Sequence, residues 1–123
     1  MPYQITVDEK ARTIVITGFG TGTTADTLQL IAETRQLFRA HPGFNMLYDS
    51  TDLQIDSSPH DIMKVAEALF DPAHAAFGRI AVVVPETREW LGRIFTALAH
   101  PHGIAANVFA HVGDARSWLG IKG

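Results

Sequence analysis

Short apolar segments of two kinds predict five β-strands. Between residues 3 and 7, and again between residues 12 and 18, apolar and polar side chains alternate, which is the period of a half-buried strand. The polar turn 8–11 between them indicates an antiparallel hairpin. The segment 79–84 is instead continuously apolar and β-branched, as in a parallel strand covered on both faces. The predicted strands are 3–7, 12–18, 44–49, 79–84 and 106–110.

Apolar residues three and four positions apart predict helices between the strands. Thr23 with Asp26, and Ser58 with Asp61, have the spacing of helix N-caps, and Pro59 suits a first helical position. A third helix is predicted to begin at 85–87 and a fourth to cover 113–119. The first three helices are expected to end at 41–43, 71–72 and 101–103. The residues expected to be buried are, for the first helix, Leu28, Ile31, Ala32, Leu37 and Phe38; for the second, Ile62, Val65, Ala66, Leu69 and Phe70; for the third, Trp90, Leu91, Ile94, Phe95 and Leu98; and for the fourth, Ala115, Trp118 and Leu119.

The order of elements is therefore ββαβαβαβα, which predicts an α/β domain spanning residues 1–123. Strands that alternate with helices indicate right-handed parallel crossovers on a mixed sheet that opens with a hairpin. The glycine-rich segment 18–22 is interpreted as a turn that ends the second strand, and 50–56 as a polar connection after the third.

Composition and charge exclude several classes of protein. Ten Lys and Arg against thirteen Asp and Glu give a net charge of −3, without the basic excess that nucleic-acid binding requires. No cysteine is present, so disulfides, thiolate metal sites and thiol nucleophiles are absent. The N-terminus does not resemble a signal peptide, and the longest apolar run, 80–84, is far shorter than a membrane span. We expect a cytoplasmic protein.

The sequence contains no motif that assigns a cofactor, a metal or catalytic residues. The glycines at 18, 20 and 22 lack the spacing of a dinucleotide fingerprint. His100 and His102 supply two metal ligands where zinc needs three or four, and His41 is remote in sequence. No nucleophile elbow is present. We therefore expect a protein that is not an enzyme; an enzyme with an unrecognised site is the less favoured alternative.

The candidate site lies where parallel strands end, because ligands of open α/β sheets meet the carboxyl ends of the strands. Polar residues follow the third and fourth predicted strands, and two predicted helices begin beside them. Free amides at those helix starts favour an anion or a phosphorylated side chain. The residues of this candidate edge are Asp49, Asp52, Asp56, Ser57, Ser58, His60, Glu86 and Thr87.

Across nearly its full length, the chain resembles the small bacterial STAS-related proteins called SpoIIAA-like. The resemblance rests on the opening hairpin, on Leu47-Tyr48-Asp49, on 79–83, on Arg93-Ile94-Phe95, and on Val108-Phe109 followed by 115–120. It implies a STAS fold, related to anti-sigma-factor antagonists and to CRAL-TRIO lipid-binding domains.

In the antagonists, a serine at a helix start is phosphorylated by a partner kinase. The segment 53–58 resembles that site, and the resemblance places Ser57 at the phosphorylated position. Phosphate there would add negative charge at a helix N-terminus and switch docking. The sequence departs from the family pattern at Pro59 and His60, which replace a Gly-Leu pair.

Two functions follow as hypotheses. The first is a regulatory module whose protein partner docks on the candidate edge. The second, which the CRAL-TRIO resemblance implies, is a carrier of a lipid or other apolar ligand, and it needs an internal pocket of about 300 Å³ or more. A homodimer through an exposed edge strand is also compatible with the sequence. The aromatic residues that are candidates to line a pocket are Phe38, Phe44, Phe70, Phe77, Trp90 and Phe95.

Overall fold

A computed structural model describes residues 2–55, 58–70 and 77–121 of the chain. These residues form a five-stranded sheet in the order β1-β2-β3-β4-β5. Strands β1 and β2 pair in antiparallel fashion, whereas every later pair is parallel, as predicted. The strands are β1 (Tyr3–Asp8), β2 (Thr13–Gly22), β3 (Asn45–Ile55), β4 (Ile80–Val83) and β5 (Ala106–Phe109); the helices are α1 (Thr24–Ala40), α2 (Pro59–Leu69), α3 (Glu89–Ala99) and α4 (Val112–Trp118).

The two faces of the sheet are covered unequally. Helices α1, α2 and α3 share one large apolar core with the sheet, and Phe38 of α1 is fully buried there. On the opposite face, α4 packs through Ala115, with Leu119 just after the helix, over a smaller core. Strand β4 lies between both cores, and its four residues are all buried, which confirms the prediction of a strand covered on both faces.

Both predicted helix N-caps are present, and each forms a capping box. The hydroxyl of Thr23 accepts a hydrogen bond from the amide of Asp26, whose carboxylate accepts one from the amide of Thr23. Ser58 and Asp61 repeat the arrangement at the start of α2. Gly43 follows the end of α1 and has a φ of +81°, a conformation that favours glycine. The predicted exit of α2 at 71–72 lies outside the described residues.

Strands β2 and β3 are longer than predicted. The glycine-rich segment was expected to end β2 at residue 18, but the strand continues to Gly22 in register with β3. A bulge between Thr17 and Phe19, and the positive φ of Gly20, bend the ladder without breaking it. The expected polar connection 50–56 is wrong as far as Ile55, because that segment continues β3 as a strand paired with β2.

Two helical stripes also differ from the prediction. On α1, Leu28 and Ala32 are exposed, and the buried residues are Thr27, Leu30, Ile31, Thr34 and Phe38. On α3, Trp90 is 47% exposed, while Gly92 lies against β5, where an added Cβ would collide with the Val108 side chain. The start of α3 is shifted as well, because residues 86–88 form a 3-10 helix and the α-helix begins at Glu89.

Candidate functional site

The candidate edge is shaped by the extension of β3 beyond its neighbour β4. The last pair between these strands joins Asp49 to Val83, and β3 then continues to Ile55 while paired with β2 alone. After β4, the chain turns away through Pro85 into the 3-10 helix Glu86–Arg88. The extension and this segment therefore form two walls at the carboxyl end of the parallel strands.

An open polar groove, called here the edge groove, lies between these walls. It brings together two of the predicted residues, Asp52 and Thr87. It also contains Arg88, which is not among the predicted residues. Its described lining consists of Thr51, Asp52, Leu53, Gln54, Ile55, Pro85, Thr87 and Arg88.

Asp49 and Glu86 lie outside the lining of the edge groove. The carboxylate of Asp49 instead accepts two hydrogen bonds from Thr51, one from the amide at 3.0 Å and one from the hydroxyl at 2.6 Å. These bonds occupy one oxygen of the carboxylate, Oδ1, within its own strand. Glu86 is exposed on the 3-10 helix.

The start of α2 is occupied by its own capping box. The hydroxyl of Ser58 accepts from the amide of Asp61 at 3.2 Å and donates to its carboxylate at 3.0 Å. Hydrogen bonds from the backbone and side chain of Ser58 lower the pKa of the Asp61 carboxyl below its ordinary value. His60 is exposed on the first turn, and the predicted residues Asp56 and Ser57 lie outside the described residues.

The expected helix start at Thr87 is wrong. Thr87 lies within the 3-10 helix, and Arg88 occupies the N-cap position of α3 without a side-chain capping bond. The amide of Arg88 donates to the carbonyl of Pro85 at 2.8 Å, because a 3-10 turn pairs residues three apart. The second expected helix start is therefore a short 3-10 turn, and the first amides of α2 are already used in part by its capping box.

A second concavity reaches into the interior between the sheet and helices α1, α2 and α3, and it is partly open to the surface. This internal cavity has a volume of about 100 Å³, and its walls are almost entirely apolar. Five polar side chains interrupt the walls: Thr27, Thr34, Tyr48, Ser50 and Arg88. None of them belongs to the candidate edge that the sequence predicts.

The hydroxyl groups of Tyr48 and Thr27 in the cavity wall are linked through Tyr3 in one chain of hydrogen bonds. Tyr48 donates to the hydroxyl of Tyr3 at 3.3 Å, and the oxygens of Tyr3 and Thr27 lie 2.8 Å apart. Thr27 in turn donates to the carbonyl of Thr23 at 3.3 Å. Because a carbonyl only accepts, the chain runs in one direction, from Tyr48 through Tyr3 and Thr27 to the backbone. Burial raises the pKa of Tyr48 well above its ordinary value, and the neighbouring Tyr3 adds to the increase.

The internal cavity is smaller and differently lined than the carrier hypothesis expected. Its volume is about a third of the lower bound for a drug-sized ligand. Of the six aromatic residues named as candidates, Phe95 alone is in the wall among the described residues. Phe38, Phe44 and Phe70 are buried core, Phe77 packs against Phe38 and Phe70, and Trp90 is exposed.

Histidine and carboxylate residues do not gather into a metal site in the part of the chain that is described, where no three His, Asp or Glu residues come together. His102 instead packs its ring against Phe70, with 5.7 Å between ring centres. His41 packs in the same way against Phe44, at 4.8 Å.

Comparison with known proteins identifies the family. A protein-family model described as SpoIIAA-like matches residues 13–120. The chain belongs to the SpoIIAA-like family. The match extends over β2 to α4 and thus includes the edge groove and the internal cavity. No curated protein matches the chain.

Two solved structures share the fold of this SpoIIAA-like chain. One is an uncharacterised protein of the DUF3478 family from Shewanella loihica PV-4, with 21% identity and a TM-score of 0.62 over 95% of this chain and 91% of that one. The other is the Bacillus cell fate determinant SpoIIAA in its phosphorylated form, with 15% identity and a TM-score of 0.51 over 94% of this chain and 98% of that one. At these identities the likeness establishes the fold, which the sequence resemblance had predicted.

None of the helices within the described ranges combines the length and the apolar character needed to cross a bilayer.

Proposed function

We propose that this SpoIIAA-like chain is a non-enzymatic regulatory module that binds a protein partner at the edge groove. The observation that carries the proposal is the extension of β3, which exposes Thr51, Asp52 and Gln54 beside Thr87 and Arg88. The groove is open and polar, and it carries both an acidic and a basic side chain. Such a surface suits recognition of a polar protein segment through complementary charge.

A phosphate at Ser57 would control this docking. Ser57 immediately precedes Ser58, the N-cap of α2, and a phosphate near a helix N-terminus interacts favourably with the helix dipole. The structural likeness to the phosphorylated form of Bacillus SpoIIAA supports the proposal at the level of the fold. In this chain, Asp61 already lies in the first turn of α2, so an added phosphate would also meet a like charge.

The test is a comparison of captured partners from the protein's own cells. Tagged wild-type protein is compared with Asp52→Lys in the edge groove, with Ser57→Asp, and with Glu9→Lys as the matched control. Glu9 is exposed in the β1–β2 turn, at the opposite end of the parallel strands. Mass spectrometry of the captured material then identifies the partner and phosphorylated peptides that contain Ser57.

We expect one partner to be captured by wild type and Glu9→Lys and to be lost with Asp52→Lys. We expect Ser57→Asp to change the captured amount. An identical set of proteins with all four baits would contradict docking at the edge groove. A partner that responds to Asp52→Lys but not to Ser57→Asp would retain the docking site and remove the phosphate control.

A second candidate function is that of a carrier for a small apolar molecule, which the internal cavity favours. A cavity of about 100 Å³ with apolar walls is below the roughly 150 Å³ that holds one benzene molecule in an engineered protein core. The ligand that fits is therefore small, or only its apolar end is enclosed.

A further inference from the structure

Among its described lining residues, the internal cavity has one cationic group, Arg88, which also borders the edge groove. Arg88 occupies the N-cap position of α3 and is partly buried. One of its terminal nitrogens donates to the carbonyl of Ser50 at 3.3 Å, which is beyond the usual range for a strong hydrogen bond. The guanidinium is thus positioned at the boundary between the apolar interior and the open groove.

The other polar side chains of the wall already donate their hydroxyl protons to hydrogen bonds within the protein. Ser50 donates to the carbonyl of Val83 and Thr34 to that of Leu30, each at 2.8 Å. The hydroxyl chain from Tyr48 ends at the carbonyl of Thr23. A guanidinium has five N–H donors, and a single hydrogen bond leaves most of them available. Among the described residues of the wall, Arg88 therefore supplies the side-chain donors that remain for a ligand.

The charge of Arg88 also lacks a partner of opposite sign among the described residues, where no carboxylate lies within ion-pair distance of it. A partly buried charge without a counter-ion is unfavourable, and an anion brought to it removes that penalty. The planar donor fork of arginine matches a carboxylate better than a point charge does. An apolar cavity with an arginine at its opening suits a ligand that has a hydrocarbon part and a carboxylate at one end.

We propose that the internal cavity binds a small apolar carboxylate, with the hydrocarbon part among the apolar walls and the carboxylate on Arg88. This proposal rests on the second candidate function, since it assigns the class of ligand and the residue that anchors it. The cavity volume limits the enclosed part to less than a benzene ring, so a short aliphatic chain is the fitting probe.

The test uses butanoate and its uncharged analogue 1-butanol as probes of the full-length protein. Binding is followed by the chemical shifts of backbone amides in β3, α2 and α3. We expect butanoate to shift amides around the cavity and to bind at least tenfold more tightly than 1-butanol, because a charge-assisted hydrogen bond contributes that much or more. High salt should weaken the binding of butanoate more than that of 1-butanol.

Three variants separate the anchor from the cavity. Arg88→Gln should reduce the affinity for butanoate about ten- to a hundredfold and leave that for 1-butanol unchanged. Arg93→Gln, within α3 but ion-paired with Glu89 at the surface, should change neither. Ile62→Phe, in the cavity wall, should weaken both probes by filling the space. Folding of each variant is verified by its amide spectrum.

Equal affinity for the two probes, or unchanged butanoate binding by Arg88→Gln, would overturn the carboxylate anchor and leave the carrier function standing. Failure of both probes to shift any amide of the cavity wall would overturn the anchor and the carrier function together. Neither result affects docking at the edge groove, which the Asp52→Lys comparison tests.

Discussion

At the residue scale, Tyr48 shows how a polar group is accommodated inside an apolar wall. Its hydroxyl donates to Tyr3, which connects β3 to β1, and the chain continues through Thr27 into α1. Three elements are thereby held together by hydrogen bonds between neutral groups. Ionisation of Tyr48 would remove its proton from this chain and leave a buried charge, so burial keeps the group neutral.

Tyr48 therefore predicts a loss of stability at high pH. Its pKa is raised in the folded protein, so above pH 10 the unfolded chain releases a proton that the folded chain retains. The free energy of unfolding should fall with pH by up to about 1.4 kcal/mol per unit from this group. Tyr48→Phe, measured by urea unfolding at neutral pH and above pH 10, should lose less stability than wild type over that interval. Parallel decreases in the two proteins would show that Tyr48 is not the cause.

At the element scale, the extension of β3 depends on a buried leucine. Leu53 is fully buried. Its neighbours in the sequence are polar, so the segment resembles a surface loop. Its side chain packs against Gly18 of β2, where a Cβ would lie only 3.0 Å from it. The absence of a side chain at Gly18 makes room for Leu53 and allows β2 and β3 to stay paired beyond this position.

Leu28 and Leu53 provide a matched test. The sequence predicts that Leu28 is buried and that Leu53 lies in a polar connection, and the structure shows the reverse. Leu53→Ala should reduce the free energy of unfolding by about 2–5 kcal/mol, the range for buried leucines. Leu28→Ala on α1, where Leu28 is 38% exposed, should change it by no more than about 0.5 kcal/mol. Urea unfolding of both variants measures the difference. Equal effects would mean that β3 ends near residue 49, as the sequence alone suggests.

The contrast between these leucines shows what the sequence can predict. Local patterns identified the element order, the helix N-caps at Thr23 and Ser58, and the buried strand β4, because each depends on neighbouring residues. The extended ladder was missed because pairing between β2 and β3 overrides the turn preference of glycine.

The buried stripe of α1 was misplaced for a different physical reason. Two of its buried residues are threonines, Thr27 and Thr34, which a search for apolar periodicity passes over. Each is satisfied internally, by the carbonyl of Thr23 or of Leu30. The internal cavity could not be predicted at all, since its shape depends on how side chains from the sheet and three helices fill the space between them.

At the scale of the whole molecule, the two faces of the sheet are held by cores of different size. The smaller core holds α4 through Ala115 and Leu119. A further contact fixes the end of the helix, where the guanidinium of Arg79 lies over the ring of Trp118 at 5.2 Å and donates to its carbonyl at 2.9 Å. Since less apolar surface holds α4 than holds the other helices, it should open at a lower free energy than the rest.

Native-state hydrogen exchange can measure this difference. Amides of α4 should exchange at a lower opening free energy than those of β4, and Arg79→Gln should lower the value for α4 by a further amount of about 1 kcal/mol. The matched control is Arg12→Gln, because Arg12 makes a similar contact over Phe44 at 5.2 Å, away from α4. That variant should leave the difference between α4 and β4 unchanged. If the amides of α4 and β4 exchange at one common free energy, the molecule opens as a single unit and the smaller core is no weaker than the larger one.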